Sequence, residues 1–538
     1  MASDAREAIT RGRTALGVEL GSTRIKAVLV GPDHEVLASG GSSWENQLVD
    51  GRWTYSVDDV WAGVQASVRG VADEVRERHG VPLEQLGGLG VSAMMHGYLA
   101  LDADDELLVP FRTWRNTSTG EAVERLSGAL AFNVPHRWSV AHLYQAVLDG
   151  EEHLGRLAAI TTLAGYVHRR LTGEHVLGVG DASGVFPIDP AATGGPGYDA
   201  ERLATTQRLL DEALPDGLAL SLADLLPRVA VAGERAGGLT AEGARLLDPS
   251  GTLQPGAPLC PPEGDAGTGM VATGSVAPRT GNVSAGTSIF AMVVLEGPLA
   301  RVHRELDLVT TPAGDPVAMV HCNNGASELD AWARLFGEFA AALGAPCDDA
   351  AVFEALFRAS LDGAADGGGM LAYNYLSGEP ITGLEEGRPL FLRTPGRPLD
   401  LATFMRTQLY SAFATLKIGM DVLAGEGVRL DGMFAHGGMF ATRGVAQRHL
   451  AAAVGTPVSV GDIASEGGAW GAAVLAAFAT RRGDDQSLTD YLAERVLAGA
   501  QIDTVQPDPD DVAGFDAFLR RYVAGLPVER AAVEATRG

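Results

Sequence analysis

Two segments of the chain share one pattern, in which short apolar runs alternate with polar positions around a glycine-containing turn. Residues 15–30 (ALGVELGSTRIKAVLV) predict a strand, a tight turn at 21–23 and a second strand with alternating apolar and polar side chains. Residues 281–295 (GNVSAGTSIFAMVVL) repeat this plan with the turn at 286–288, at an offset of 265 residues. The repeat indicates an internal duplication, although one short match can also arise by chance.

The rest of the pattern is typical of an α/β protein, because glycines close short apolar runs that alternate with Ala- and Leu-rich stretches. Residues 402–423 carry large apolar side chains at helical spacing and predict a helix with a buried face. Residues 465–473 predict a glycine-rich helix start that another element can approach closely. With the duplication, we predict two similar α/β domains, residues 1–278 and 279–538, that face each other across a central cleft.

The two turns are candidate phosphate sites. Glycine lets the backbone come close to an anion, while amides and short hydroxyls donate hydrogen bonds to its oxygens. Plain hairpin turns are the alternative interpretation. Arg24 and Lys26 would add positive charge beside the first turn, or would simply be solvated.

Residues 430–440 (LDGMFAHGGMF) form a third candidate segment, a strand that runs into Gly437 and Gly438 and is followed by a helix over 445–454. The carboxyl ends of strands are where α/β proteins bind nucleotides, and a glycine pair lets a flat base or a ribose lie against the backbone. A simple connection between a strand and a helix is the competing interpretation.

The fourth segment, residues 260–270 (CPPEGDAGTGM), predicts a loop that opens a helix with Asp265 at its head. Asp265 fits a helix N-cap, and it equally fits a base that accepts a proton from a substrate hydroxyl. The glycines do not form a dinucleotide-binding fingerprint, because two prolines precede them where that fingerprint needs a strand.

Composition narrows the class of protein. Of 538 residues, 46% are hydrophobic and 20% are charged, the balance of a folded globular chain. The 68 acidic residues against 41 Lys and Arg give a net charge of −27, which disfavours nucleic acid and membrane surfaces as partners. The three cysteines have no CxxC spacing, and the first 13 residues lack the apolar core of a signal peptide. A cytoplasmic protein without disulfides or a zinc site is therefore expected.

Together and in this order, the four segments resemble the FGGY family of carbohydrate kinases, whose two domains are ribonuclease-H-like, as in actin and hexokinase. The most telling matches are residues 19–23 (ELGST), 264–267 (GDAG), 285–288 (AGTS) and 436–438 (HGG). The resemblance implies that ATP and Mg²⁺ are cofactors and that Asp265 is the catalytic base. The nucleotide-binding residues that it implies are Gly21, Ser22, Thr23 and Lys26 near the first turn, Gly286, Thr287 and Ser288 in the second, and Gly437 and Gly438.

Sugar contacts are implied by the ketopentose branch of this family. Residues 95–97 (MHG) match a Met-His-Gly turn, residues 181–184 (DASG) match an Asp-Ala-Ser-Gly stretch, and residues 114–116 (WRN) resemble a Trp-Asn-Asp-like segment less closely. The substrate-binding residues implied in this way are Met95, His96, Trp114, Asn116, Asp181 and Asp265. Packing roles are the alternative for the His and the Trp.

The first hairpin departs from the family, which usually has Asp where this chain has Glu19. Glu19 is the expected metal residue, either in direct contact with Mg²⁺ or through water. The Glu19 side chain is one methylene longer than that Asp near the expected metal.

The resemblance implies ATP-dependent phosphorylation of a ketopentose, most simply D-xylulose to D-xylulose 5-phosphate. L-Ribulose is the nearest alternative substrate, and gluconate, glycerol or a deoxy sugar come behind it. A different class of protein, an actin-like ATPase or a sugar sensor without kinase activity, would account for the paired turns equally well. A homodimer is expected only at the level of the family.

Overall fold

The computed structural model describes residues 2–461 and 467–537. Its described residues form two compact units. Unit 1 takes those within Met1–Ala277, Leu308–Val317 and Ile463–Ala500, and unit 2 takes those within Pro278–Asp307, Ala318–Asp462 and Gln501–Gly538. Two segments from the second half of the chain are thus counted with unit 1. The division of the chain into two domains after residue 278 stays a prediction.

The strands have the following bounds in chain order: β1 (Ala15–Leu20), β2 (Arg24–Val30), β3 (Val36–Ser43), β4 (Gln47–Val49), β5 (Arg52–Thr54), β6 (Gly88–Ala93), β7 (Leu99–Leu101), β8 (Ala159–Thr161), β9 (Val176–Gly178), β10 (Ile188–Asp189), β11 (Gly197–Tyr198), β12 (Arg228–Ala230), β13 (Glu263–Gly264), β14 (Thr280–Ala285), β15 (Ile289–Val294), β16 (Leu306–Thr310), β17 (Pro316–Cys322), β18 (Met370–Tyr373), β19 (Leu390–Arg393), β20 (Gly432–His436), β21 (Val458–Gly461) and β22 (Ile502–Val505).

The α-helices have the following bounds: α1 (Ala2–Thr10), α2 (Val57–His79), α3 (Gly120–Leu130), α4 (Ser139–Leu148), α5 (Leu163–Thr172), α6 (Val179–Ala182), α7 (Ala200–Ala213), α8 (Leu222–Leu225), α9 (Ala241–Leu247), α10 (Asp265–Thr273), α11 (Ser327–Ala342), α12 (Asp349–Ser360), α13 (Leu401–Gly425), α14 (Val445–Val454), α15 (Gly467–Arg481), α16 (Leu488–Tyr491) and α17 (Pro509–Thr536).

Unit 1 is built on a mixed five-stranded sheet in the order β13-β6-β1-β2-β3. Strand β1 pairs antiparallel with β2 and parallel with β6, and β13 extends the parallel side. Gly17 of β1 lies against α15, and Gly40 of β3 lies against α2, because a Cβ at either glycine would overlap the backbone of that helix. The strand register places these two glycines on opposite faces, so a helix covers each face of the sheet.

Helix α15 is rich in Ala and Gly, and most of its residues are buried. It packs on β1 and β6 and also on α10. A Cβ at Gly471 would overlap the Thr268 carbonyl oxygen, so the predicted close approach to a glycine-rich helix is confirmed. Residues 465 and 466 of the predicted helix start lie outside the described residues.

A second sheet has seven strands in the order β16-β17-β15-β14-β20-β21-β22, of which β15, β14, β20, β21 and β22 lie entirely within unit 2. Strand β14 pairs antiparallel with β15 and parallel with β20, as β1 does with β2 and β6. Both predicted hairpins are therefore confirmed, and so is the α/β class with a mixed sheet in each unit. The predicted helices at 402–423 and 445–454 are also confirmed, as α13 and α14.

The two hairpins differ by one residue in their turns. Leu20 pairs with Ile25 across four intervening residues, whereas Ala285 pairs with Ile289 across three. The offset of 265 between the segments therefore holds on the strand that enters each turn and falls by one on the strand that leaves it. In the described part of the chain, no helix is both long enough and apolar enough to cross a membrane.

Candidate active site

Asp265 lies at the junction between strand β13 and helix α10. Its Oδ1 accepts hydrogen bonds from the backbone N–H groups of Met95, at 3.2 Å, and Ala266, at 2.9 Å. Burial raises the pKa of the Asp265 carboxyl to about 6, although these amides lower it. The N-cap of α10 is Gly264, so the N-cap interpretation of Asp265 is wrong. Its second carboxylate oxygen remains free of these two contacts and can serve as a base.

Glu19 lies on β1 opposite Lys26 of β2. Its carboxylate accepts hydrogen bonds from the backbone N–H groups of Gly468 and Ala469, at the start of helix α15. Burial and, to a smaller extent, the charge of Asp265 raise the pKa of Glu19 to about 7, although Lys26 and these two amides act to lower it. The carboxylates of Glu19 and Asp265 therefore act on each other electrostatically within unit 1.

Asp181 is fully buried on the short helix α6. Thr162 donates a hydrogen bond of 2.6 Å to Oδ2, while Oδ1 has no partner among the described residues. Burial raises the pKa of Asp181 to about 7, and the charge of Asp265 contributes to the rise. A Cβ added to Gly264 would overlap the Met95 side chain and would lie 3.4 Å from Asp181 Oδ1. Three predicted segments, those of Met95, Asp181 and Asp265, thus meet at Gly264.

His96 occupies a strained position in the turn after β6. Its φ is 70°, in the left-handed region that residues other than glycine rarely adopt. The ring is buried, and Nδ1 lies 3.3 Å from the carbonyl oxygen of Gly184. Gly184 must be glycine here, because a Cβ would lie 2.5 Å from Nδ1. The predicted Met-His-Gly and Asp-Ala-Ser-Gly segments are therefore in direct contact.

Asn116 and Trp114 occupy different environments in the same segment. The Asn116 amide pairs with the backbone of Trp53, since Oδ1 accepts from its N–H and Nδ2 donates to its carbonyl, both at 2.8 Å. Trp114 is 37% exposed. The guanidinium of Arg115 lies 3.9 Å from the Trp53 ring centroid. Asn116 therefore holds strand β5 and the aromatic platform under Arg115 in place.

The first turn is supported by two aromatic residues that the sequence pattern did not indicate. Trp44 Nε1 donates to the carbonyl oxygen of Gly21 at 2.7 Å, and the Tyr55 hydroxyl donates to that of Ser22 at 2.6 Å. The two rings stack with centroids 4.1 Å apart. These carbonyl oxygens, which would repel a phosphate, are thus engaged, while the Ser22 and Thr23 side chains are exposed.

The second turn has backbone support instead. The N–H of Gly325 donates to the Thr287 carbonyl, and the N–H of Ala326 donates to the Gly286 carbonyl, both at 2.8 Å. Gly286 and Thr287 are exposed. Both turns therefore combine carbonyl oxygens that accept hydrogen bonds with hydroxyl-bearing residues at exposed positions. No local sequence signal could have identified these supports, because each comes from outside its hairpin.

Gly437 lies beside the second turn. It follows β20, which is parallel to β14, and its φ is 107°. A Cβ at Gly437 would overlap the Ala285 carbonyl oxygen, whereas a Cβ at Gly438 would meet nothing within 4 Å. The glycine pair thus combines one residue that the fold requires with one that leaves open space.

Among the described residues, no group of three or more His, Cys, Asp or Glu could hold a metal ion. A magnesium ion that is shared with phosphate oxygens needs only one or two protein carboxylates. Burial and the charge of Asp265 disfavour the ionised form of Glu19, and a nearby cation would favour that form. Glu19 therefore fits such an ion.

Comparison with known proteins identifies the family of the chain. Residues 14–189 match the N-terminal domain of the FGGY family of carbohydrate kinases, and residues 281–480 match its C-terminal domain. A xylulose kinase from Klebsiella pneumoniae is 24% identical over 190 residues, which are 33% of this chain and 37% of that enzyme. The match thus spans well under half of the length of that relative.

Two solved structures show how far the fold extends. A xylulose kinase from Rhodospirillum rubrum has a TM-score of 0.76 at 19% identity, over 97% of this chain and 100% of that one. A gluconate kinase from Lactobacillus acidophilus has a TM-score of 0.77 at 17% identity, over 97% and 98%. At such identities the likeness concerns the fold alone. The two family matches, which together cover more than half of the chain, show that it belongs to the FGGY family of carbohydrate kinases.

Proposed function

We propose that this protein transfers the γ-phosphoryl group of ATP to a hydroxyl group of a ketopentose, with D-xylulose as the substrate and D-xylulose 5-phosphate as the product. The observation that carries the proposal is Asp265, a partly buried carboxylate that accepts two backbone N–H groups at one oxygen and whose pKa burial raises to about 6. A general base works best when its pKa lies near the operating pH. Family membership supports phosphoryl transfer, and the Klebsiella relative supports the choice of D-xylulose.

Asp265 would orient the terminal hydroxyl group of the sugar and take its proton. The hydroxyl oxygen forms a bond to the γ-phosphorus, the bond from that phosphorus to the β–γ bridging oxygen breaks, and ADP leaves. Positioning and charge stabilisation supply most of the rate in such reactions, because little covalent work falls on the protein. The amides of Met95 and Ala266 hold Oδ1, so the other carboxylate oxygen would take the proton.

The sugar-binding residues in this proposal lie in unit 1. Asp181 would accept a hydrogen bond from a sugar hydroxyl group at Oδ1, which lacks a protein partner in the described part of the chain. Met95 and His96 would line the same space, since their turn contacts both Asp265 and Gly184. Trp114 would contribute its exposed ring, and Asn116 would act through the backbone of Trp53.

The nucleotide would use the turn residues and the glycine pair. Thr287 and Ser288 would donate to phosphate oxygens beside Gly286, and the adenosine would lie against Gly437 and Gly438. In unit 1, the turn at 21–23 with Lys26 stays a predicted phosphate contact. Glu19 would hold Mg²⁺ together with phosphate oxygens. The bound ion would neutralise the negative charge that develops on these oxygens during the transfer.

Two alanine substitutions separate the roles of the glycine pair. Gly437→Ala is expected to destabilise the fold by about 1–3 kcal/mol, because it forces a left-handed φ and overlaps the Ala285 carbonyl. Gly438→Ala is expected to keep the melting temperature and to raise the KM for ATP, because its methyl group fills open space. Thermal unfolding and ATP titration of both variants measure this. An unchanged KM for ATP in Gly438→Ala would show that the glycine pair does not contact the nucleotide.

The experiment that tests the proposed function is an ADP-release assay with ATP and Mg²⁺. The sugars are D-xylulose, L-ribulose, D-ribulose, gluconate and glycerol, and the product is identified by mass. Strong stimulation by D-xylulose with a singly phosphorylated product is expected. If only another sugar stimulated ADP release, that sugar would be the substrate in place of D-xylulose. ATP hydrolysis that no sugar affects would favour an ATPase or a sensor over a kinase.

A further inference from the structure

Glu263 is a buried carboxylate that the proposed reaction does not use directly. It is 2% exposed and lies on β13, two residues before Asp265. Strand β13 pairs parallel with β6, which places Glu263 opposite Ser92 at the edge of the sheet. Glu263 therefore lies on the strand that leads directly into Asp265, and pairing with β6 holds this strand in place.

The Glu263 side chain reaches the first turn of helix α6. Its Oε2 accepts from the N–H of Asp181 at 3.0 Å, and its Oε1 accepts from the N–H of Gly180 at 3.3 Å. These are the N–H groups that a helix N-cap side chain normally satisfies. The N-cap of α6 is Gly178, which has no side chain to do so. Glu263 thus caps this helix from a different strand.

The local sequence leaves no room for an ordinary cap. A Cβ at Gly178 or at Gly180 would overlap a carboxylate oxygen of Glu263, and one at Gly178 would also lie 2.8 Å from the Pro262 carbonyl oxygen. The N–H of Gly178 donates to that same carbonyl at 2.8 Å. The backbone hydrogen bond from Gly178 to Pro262 and the hydrogen bonds to the Glu263 carboxylate therefore join the start of α6 to the start of β13.

A carboxyl group in this place is costly. Burial raises the pKa of Glu263 to about 8, and the charge of Asp181 adds to the rise. An apolar side chain of similar size would avoid this cost, but it would leave the N–H groups of Gly180 and Asp181 unsatisfied. This position therefore requires a side chain with acceptor atoms for these two N–H groups.

We propose that Glu263 is a positioning residue for phosphoryl transfer, which sets Asp181 relative to Asp265 by joining α6 to β13. This inference rests on the proposed function, in which Asp181 contacts the sugar and Asp265 takes its proton. Loss of the join displaces Asp181 and hence the bound sugar. Because a displacement of about 1 Å can cost about 10²-fold in rate, the effect falls on sugar turnover.

The test compares Glu263→Gln and Glu263→Ala with the wild type. We expect kcat/KM for the sugar to fall about tenfold in Glu263→Gln, which keeps one acceptor, and about 10²-fold in Glu263→Ala. The KM for ATP should stay within about twofold, since α6 and β13 lie in unit 1 and the glycine pair lies in unit 2. Hydrogen exchange should speed up at residues 180–181 in both variants.

Glu529→Gln is the matched control. Glu529 is also fully buried, and its Oε1 accepts a backbone N–H from Arg388 at 2.6 Å, but it lies on α17 in unit 2. We expect this variant to lose thermal stability like Glu263→Gln and to keep kcat/KM for the sugar. A folded Glu263→Ala with kcat/KM within about threefold of the wild type would overturn the inference. So would equal losses in the Glu263 and Glu529 variants.

The two proposals fail in different ways. A wild-type protein without sugar-dependent ADP release contradicts the proposed function itself. An active wild type whose Glu263 variants keep full sugar turnover contradicts only the positioning role. Unchanged exchange at residues 180–181 in Glu263→Ala would also overturn that role, whatever the activity.

Discussion

Replacing Asp265 with Asn is expected to lower sugar-dependent ADP release by about 10³-fold, the scale on which a general base contributes. The amide has the size of the carboxyl group, and its oxygen still accepts from the N–H groups of Met95 and Ala266. The amide nitrogen that replaces the free oxygen cannot take a proton. ATP binding and the melting temperature should change little, because the hydrogen bonds from Met95 and Ala266 are kept.

Steady-state kinetics, equilibrium ATP binding and thermal unfolding together measure this outcome. Asp248→Asn is a suitable control, because Asp248 also accepts backbone N–H groups in unit 1, from Ser250 at 3.0 Å and Leu253 at 2.8 Å. We expect the control variant to keep full turnover. If Asp265→Asn retained turnover within about tenfold of the wild type, Asp265 would not be the base.

The second large effect is on pH dependence. Burial raises the pKa of Asp265 to about 6, and a protonated carboxyl group cannot accept a proton from the sugar. Below that pKa, the fraction of the active, ionised form falls about tenfold for each pH unit. We therefore expect kcat/KM for the sugar to rise as pH increases through about 6 and then to level off. At pH 4.5 the loss should be about 30-fold.

Two neighbouring carboxyl groups broaden the pH range over which kcat/KM for the sugar rises. Burial raises the pKa of Glu19 and of Asp181 to about 7, and the charge of Asp265 contributes to both shifts. Groups coupled in this way titrate together, so the observed pKa belongs to the set. The pH profile of kcat/KM between 4.5 and 9 measures it. An enzyme already at full kcat/KM at pH 4.5 would show that no raised carboxyl pKa controls the reaction.

The predictions from sequence succeeded where the signal was local. Both hairpins, the helices α13 and α14 and the strand before Gly437 follow from apolar spacing and from glycine at the ends of strands. These features are encoded within some ten to twenty consecutive residues, because a side-chain period of 2 or 3.6 is a property of the local backbone. The position of Asp265 at the head of a helix was predictable for the same reason, although its N-cap alternative was wrong.

The supports of the site were not predictable. Trp44 and Tyr55 hold the first turn from outside it, and Asn116 pairs with the backbone of Trp53, 63 residues earlier in the chain. Aromatic and amide side chains at irregular spacing carry no pattern that distinguishes such roles from ordinary packing. The sequence indicated Asn116 only through a resemblance, and it did not indicate the backbone contacts that occupy its amide.

The sequence by itself determined the α/β class, the two glycine–hydroxyl turns, the glycine pair and the carboxylate at the head of α10. Only the tertiary structure decided what lies around that carboxylate. It brings helix α15 from the end of the chain against β1 and the Glu19 side chain, and it sets Glu263 as a cap on the helix of Asp181. Local conformation follows from short-range sterics and periodicity. These contacts instead join residues as distant in the chain as Asp181 and Glu263, or Glu19 and Ala469, whose proximity depends on the packing of the whole unit.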